Sequence, residues 1–326
     1  MPNRQRNDRD SFEIMSSLCS ICPRRCQAAR PFSFPADGVL PGVCRSPAKI
    51  VVSRAGLHRW EEPVISGERG SGTVFFSGCN LHCVYCQNHE ISTRGAGREL
   101  SAGELKVLFR RLIDRGAHNI NLVTPGHFAP LIAPVLTEKL PVPVVYNSNG
   151  YELPETLKLF EGKVDIYLPD LKYIDPEAAR RYSNAPDYFE VACAAIDEMY
   201  RQVGEFEFFP DGMLKKGVII RHLILPGLLE NTLRIIEYVA KKYRPGEVLF
   251  SLMRQYLPCG AVSEENFPEL NRRITDFEYD IAESALFSSG IEDGFVQDAE
   301  SAVSDFIPDF ENGGSDPDAV SLEELN

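Results

Sequence analysis

Between residue 72 and about residue 256, short apolar runs alternate with amphipathic stretches. The runs 73–77, 119–124, 143–148, 164–169, 217–225 and 248–254 are mostly rich in Val, Ile or Phe, as strands buried on both faces should be. The stretch 101–115 reads as a helix. Ser101 can cap it, Glu104 three residues later completes a capping box, and Leu105, Leu108, Phe109 and Leu112 recur at helical spacing before Gly116 ends it. Residues 231–242 repeat the pattern through Leu233, Ile236 and Val239. Another helical stretch opens segment 276–298 and is expected to pack back on the rest. Strands alternating with helices predict parallel βα units, and six of them predict an α/β fold of partial (β/α)6 barrel type. No Gly-x-Gly-x-x-Gly follows the first strand, which argues against a dinucleotide-binding Rossmann unit.

Composition adds boundaries to this picture. The chain has 326 residues, 44% of them hydrophobic, enough for a sizeable core, and no run of eighteen apolar residues. The start, MPNRQRNDRD, is polar with no apolar segment behind it, so no secretory leader, no membrane association and a cytoplasmic location are expected. The net charge of -13 is unevenly spread: no Lys or Arg follows Arg273, while residues 276–326 carry 15 of the 47 acidic residues. The body is near neutral, which excludes a field for binding nucleic acid. The expected organisation is an N-terminal cysteine-rich module (1–60), either a small separate unit or a cap, then a barrel (61–298) and an acidic, disordered tail (299–326).

Nine cysteines change the picture more. A reducing compartment makes a disulfide framework improbable, and seven of the nine fall in two groups, which points to metal ligation. Cys79, Cys83 and Cys86 stand in the stretch SGCNLHCVYCQN, directly after the strand-like TVFF. Three thiolates on a four-iron cluster leave one iron open. An open iron can chelate an amine and a carboxylate, both offered by the methionine end of S-adenosylmethionine. The competing reading is structural zinc, with His82 or His89 as a fourth ligand. Cys19, Cys22, Cys26 and Cys44 form the other group. Four thiolates suit a closed second metal centre, a second iron–sulfur cluster or zinc, and spacing alone does not choose between them.

The C-x3-C-x-aromatic-C arrangement, with Tyr85 before the third cysteine, resembles the radical S-adenosylmethionine (radical SAM) superfamily. The segments EEPVISGERGSGTVFFSGCNLHCVYCQNHEIS, LVTPGHFAP, VVYNSNGYE, VDIYLPDLKY, VIIRHLILPG and LMRQYLP, with CSICPRRC at the start, resemble putative pyruvate formate-lyase activating enzyme-like proteins. The resemblance implies a [4Fe–4S] cluster on Cys79, Cys83 and Cys86 that reductively cleaves S-adenosylmethionine. It implies an electron donor such as flavodoxin or ferredoxin and, by analogy, a glycine of a partner protein as target. A small molecule or peptide as substrate, and a cluster protein without catalysis, are the rival readings. By position it points to Tyr85, Gly126, Asn147, Asn149, Asp170, Lys172 and Arg221 as cofactor-binding residues. Two positions depart from the activases. Thr124–His127 replaces a Gly-Gly-Glu-type stretch, and Asn147 stands where an Asp helps bind a monovalent cation.

Overall fold

In the computed structural model, ten strands among the described residues form one sheet: β1 (Ile50–His58), β2 (Ser71–Phe76), β3 (Arg98–Leu100), β4 (Ile120–Val123), β5 (Val144–Ser148), β6 (Ile166–Pro169), β7 (Glu207–Phe208), β8 (Leu214–Leu223), β9 (Leu249–Met253) and β10 (Gly294–Val296). The structure describes residues 19–31, 41–94, 96–297 and 317–325. The sheet order is β10-β9-β8-β6-β5-β4-β2-β1-β3, with β7 attached to β8. Strands β2, β4, β5, β6, β8 and β9 run parallel and are the six expected from the apolar runs. The two ends of the sheet do not pair with each other, so the barrel is partial and unclosed. Helices α1 (Pro63–Ser66), α2 (His89–Arg94), α3 (Ala102–Asp114), α4 (Ala129–Ile132), α5 (Pro154–Leu157), α6 (Pro176–Ser183), α7 (Tyr188–Val203), α8 (Leu229–Lys242) and α9 (Asp276–Ser288) complete the fold. The Ser101–Glu104 capping box closes the start of α3, and its buried face is Leu105, Leu108, Phe109 and Leu112.

Strand alternation sorts the side chains. Val144, Tyr146, Tyr167, Val218, Ile220 and Phe250 belong to the large core shared with the helices. Val145, Ile166, Leu168, Ile219 and Leu249 form a separate cluster around Ile65 of α1. Helix α1 lies between β1 and β2, and Asn119, just before β4, donates to the Ile65 carbonyl at 2.7 Å. It therefore plugs the end of the barrel where the parallel strands begin. Further along the same inner face come the polar positions Asn147, Asp170, Arg221 and Ser251.

Two expected boundaries need correction. β1 lies within 1–60 yet pairs antiparallel with β2, so the boundary at residue 60 falls after a strand of the main sheet. Nor is the cysteine segment separate: Cys19 and Ile21 share the main core, and Thr156 donates to the Ile21 carbonyl at 2.5 Å. At the other end, the expected disorder does not extend to residues 317–325. Leu57 donates to Asp318 and Val320 to Ala55 across the edge of β1, and Val320 and Leu325 are buried. The rest of the acidic tail lies outside the described residues. No helix among the described residues is long and apolar enough to cross a membrane.

Candidate active site

The loop after β2 carries Cys79, Cys83 and Cys86, and all three line one cavity that reaches into the barrel interior. The loop is held by its neighbours. Val84 donates to Tyr182, Ala261 donates to Val84, and Gly260 packs so closely that an added Cβ would meet the Val84 carbonyl at 2.6 Å. Each thiol has a polar donor. Leu81 N–H and Asn149 Nδ2 reach Cys79 Sγ at 3.4 Å, Ser183 Oγ reaches Cys83 at 3.1 Å, and Ser92 Oγ reaches Cys86 at 3.6 Å. Burial raises the Cys83 thiol. Burial, then the neighbouring Cys83 and Cys79, pushes Cys86 up to about 12. Such thiols stay protonated until a metal takes the place of the protons. Among the described residues, no group of three or more His, Cys, Asp or Glu converges closely enough to hold a single metal ion. Three thiols on one loop facing one cavity suit a four-iron cluster that keeps one iron open. His82 does not turn toward these thiols: its Nε2 lies 2.5 Å from the Val43 carbonyl.

The expected cofactor residues divide. Tyr85, Asn147, Asn149, Asp170, Lys172 and Arg221 all line the cavity. Tyr85 is fixed by a 2.6 Å contact between its hydroxyl and that of Tyr173, which continues through Ser183 to Cys83. Asn149 donates to Cys79 and to Asn80 and accepts from Tyr151 N–H, so it shapes the turn as well as the thiol. Gly126 does not line the cavity. A Cβ there would lie 2.3 to 2.6 Å from the Glu152 carboxyl, so its small size makes room for that buried group. His127 is likewise structural. Its Nε2 faces the Ser77 carbonyl at 2.8 Å, and burial, then Arg30, lowers its pKa to about 3.

Asp170, Lys172 and Arg221 form a largely buried charge network. Lys172 Nζ stands 2.5 Å from Asp170, and Arg221 approaches Asp170 at 2.9 Å. Burial alone would raise the Asp170 carboxyl, but Arg221 and Lys172 together hold it below its ordinary value. Arg221 also donates to Asn147 Oδ1 at 2.7 Å and to Glu61 at 3.2 Å. Its anionic partners are thus protein carboxylates, and its guanidinium meets the Asn147 side chain that replaces the activase Asp. The adjacent His222 points the other way, between Leu171 O and Thr232 Oγ1.

Sequence reading missed Glu61, Glu62 and Asn121. Glu61 lines the cavity and accepts from Asn121 at 3.1 Å and Asn147 at 3.2 Å. The available signal was Asn121 itself, an amide inside the apolar strand INLV. Arg24 donates to the carbonyls of Asn80, Leu81, Ser183 and Asn184, tying the N-terminal cysteine segment to the cluster loop.

A family model of the radical SAM superfamily matches residues 73–239, about half of the chain and inclusive of the three-cysteine loop. The chain belongs to the radical SAM superfamily. Family membership implies an enzyme with a [4Fe–4S] cluster and S-adenosylmethionine, which the thiols and the cavity fit. An uncharacterized protein of Methanocaldococcus jannaschii is 30% identical over 82% of this chain and 73% of its own length. A pyruvate formate-lyase-activating enzyme of Clostridium pasteurianum is 23% identical over 61% of this chain and 79% of its own. Among solved structures, methylornithine synthase is 15% identical, with a TM-score of 0.43 over 67% of this chain; this chain spans 60% of that one. A spore photoproduct lyase mutant aligns with a TM-score of 0.46 and 12% identity over 68% of this chain and 74% of its own.

Proposed function

We propose that this radical SAM protein generates a 5′-deoxyadenosyl radical that takes a hydrogen atom from the α-carbon of a glycine in a partner protein, leaving 5′-deoxyadenosine and a glycyl radical, with electrons from a flavodoxin- or ferredoxin-type donor. When bound, the cluster supplies the electron that breaks a carbon–sulfur bond of S-adenosylmethionine. The chain's own residues do the rest. Cys79, Cys83 and Cys86 would hold the cluster, Asp170 and Lys172 would offer charge-assisted hydrogen bonds to the cofactor, and Tyr85 walls the cavity. The observation that carries the protein target is the unclosed sheet, whose two ends do not pair; a gap there would admit a bulky segment. The similarity to a pyruvate formate-lyase-activating enzyme supports the same reading. A glycine suits such a site, because its backbone can approach closely. The test is to incubate reduced enzyme and S-adenosylmethionine with size-fractionated lysate of the source organism. Electron paramagnetic resonance should show a persistent glycyl doublet in the protein fraction. Stimulation by the small-molecule fraction alone, with no protein radical, would replace this target with a small molecule.

Cys19, Cys22, Cys26 and Cys44 are proposed as a second metal centre. Arg25, Gln27 and Arg45 all have positive φ, and each adjoins Cys26 or Cys44. Left-handed backbone at non-glycine residues persists where surrounding bonds enforce it. Cys19, Cys22 and Cys44 are buried, and both an iron–sulfur cluster and zinc suit four thiolates. A folded variant lacking Cys79, Cys83 and Cys86 should still carry metal, and elemental analysis would tell iron with sulfide from zinc. Absence of metal from that variant would remove the second centre.

A further inference from the structure

A line of three buried hydroxyls runs from a residue of the cavity wall to one cysteine of the cluster loop. Tyr85 Oη meets Tyr173 Oη at 2.6 Å, Tyr173 Oη meets Ser183 Oγ at 2.9 Å, and Ser183 Oγ donates to Cys83 Sγ at 3.1 Å. None of the three residues is more than 5% exposed, so each hydroxyl depends on its neighbours in the line rather than on bulk water. The surroundings hold the line in place. Tyr85 packs edge-on against Tyr256, and Tyr173 against Tyr188, whose own hydroxyl meets the carbonyls of Asn149 and Asp170. Ser183 is the last residue of α6, and Arg24 takes up its carbonyl and that of Asn184. Val84, next to Cys83, donates to the Tyr182 carbonyl, so the loop and the end of α6 are joined at two points. Of the donor contacts to the three thiols, the one to Cys83 is the shortest.

Each hydroxyl has one proton to give and lone pairs to receive. A cysteine sulfur that binds iron has lost its proton and can only accept. That condition fixes the direction of the whole line: Ser183 gives its proton to the Cys83 sulfur, Tyr173 gives to Ser183, and Tyr85 gives to Tyr173. Hydrogen bonds aligned head to tail in a buried setting polarise one another, so the last donor is stronger than a lone serine. A hydrogen bond to a cluster sulfur favours the reduced, more negative state and so raises the reduction potential. We infer that Tyr85, Tyr173 and Ser183 form a one-way hydroxyl relay that sets the reduction potential of the cluster at Cys79, Cys83 and Cys86. Ser183 is the donor, and Tyr173 and Tyr85 are positioning residues that act through it. The relay makes the cluster easier to reduce and so lowers the demand on its electron donor. It rests on the presence of that cluster and is independent of the glycine target proposed above.

The test uses the full chain, reconstituted anaerobically and poised at a series of potentials, with the reduced cluster read by electron paramagnetic resonance. The signal that changes on addition of S-adenosylmethionine belongs to the cluster with the open iron and separates it from any other centre. Ser183→Ala should shift the reduction equilibrium of that cluster about tenfold, which is about 59 mV more negative for one electron. Tyr173→Phe leaves the Cys83 donor in place and should shift the potential in the same direction by less. It also carries the test where Ser183→Ala takes up less iron. Ser183→Thr keeps the hydroxyl and should restore the parent's potential. Electron–nuclear double resonance should show a proton coupling in the parent that disappears on reconstitution in deuterated buffer and is absent from Ser183→Ala. The parent's potential in Ser183→Ala, or equal shifts in Ser183→Ala and Ser183→Thr, would overturn the relay. So would the parent's potential in Tyr173→Phe, since the serine would then act alone. Iron and sulfide content of the parent reports separately on the cluster itself.

Discussion

Replacing Asp170 with Asn tests the charge network most sharply. The side chain keeps its shape and one carbonyl oxygen but loses the charge that faces Lys172 at 2.5 Å and Arg221 at 2.9 Å. Its side chain is only 13% exposed, so little water can compensate. Removing one partner of a buried ion pair costs about 3–5 kcal/mol; the retained shape and the opening into the cavity place this variant near 3 kcal/mol. For the cofactor, loss of one charge-assisted hydrogen bond costs about 1.5–3 kcal/mol, or roughly ten- to a hundredfold in affinity. The described hydrogen bonds of the Asp170 carboxyl go to Lys172 and Arg221 and not to the cysteine thiols, so cluster content should be unchanged. The assay combines urea unfolding, iron and sulfide content, and a calorimetric titration with S-adenosylmethionine. A variant with the parent's unfolding midpoint and binding isotherm would refute the reasoning. A variant that loses its cluster would show instead that the network supports the loop.

Two further substitutions probe the frame around the site. Gly150 has φ +80, and a Cβ there would lie 2.2 Å from the Asp170 carbonyl, so Gly150→Ala should destabilise by about 3 kcal/mol in thermal or urea unfolding; unchanged stability would show that the Asn149–Gly150 turn yields easily. Glu152 is raised from 4.5 to about 7 by burial, against hydrogen bonds from Ser148 and Tyr146. The native state then holds a proton that the unfolded chain gives up, so stability falls as pH rises from about 4.5 through about 7. Glu152→Gln should remove that slope and stabilise the protein by up to about 3 kcal/mol at pH about 8 relative to pH about 4.5, read from urea unfolding at the two pH values; a parallel pH profile in both proteins would contradict it.

Much of this was legible in the sequence because the signals were local. The six apolar runs became the six parallel strands, and the Ser101–Glu104 pair became a capping box. Cys79, Cys83 and Cys86 sit within eight residues, so no fold is needed to bring them together. What escaped depended on distant partners. Periodicity does not say whether Arg221 or His222 points inward; packing settles it, with His222 bonded to Thr232 on α8. β1 was read as part of a separate module because its pairing with β2 crosses a turn and the plug helix. Gly126 matched the position of a cofactor-binding glycine, yet its size serves Glu152, a contact across 26 residues that no motif records. Nothing in the local pattern singles out Glu61 and Glu62. Only the placement of α1 inside the barrel turns them toward Arg221.

The central claim is that the Cys79–Cys86 loop supports reductive cleavage of S-adenosylmethionine. Anaerobically reconstituted protein should be mixed with dithionite and S-adenosylmethionine, and 5′-deoxyadenosine quantified by chromatography with mass detection. The parent should form 5′-deoxyadenosine, and Cys79→Ala, Cys83→Ala and Cys86→Ala should each form none. Full cleavage by Cys83→Ala, or no cleavage by a parent protein that carries its full cluster, would contradict the account.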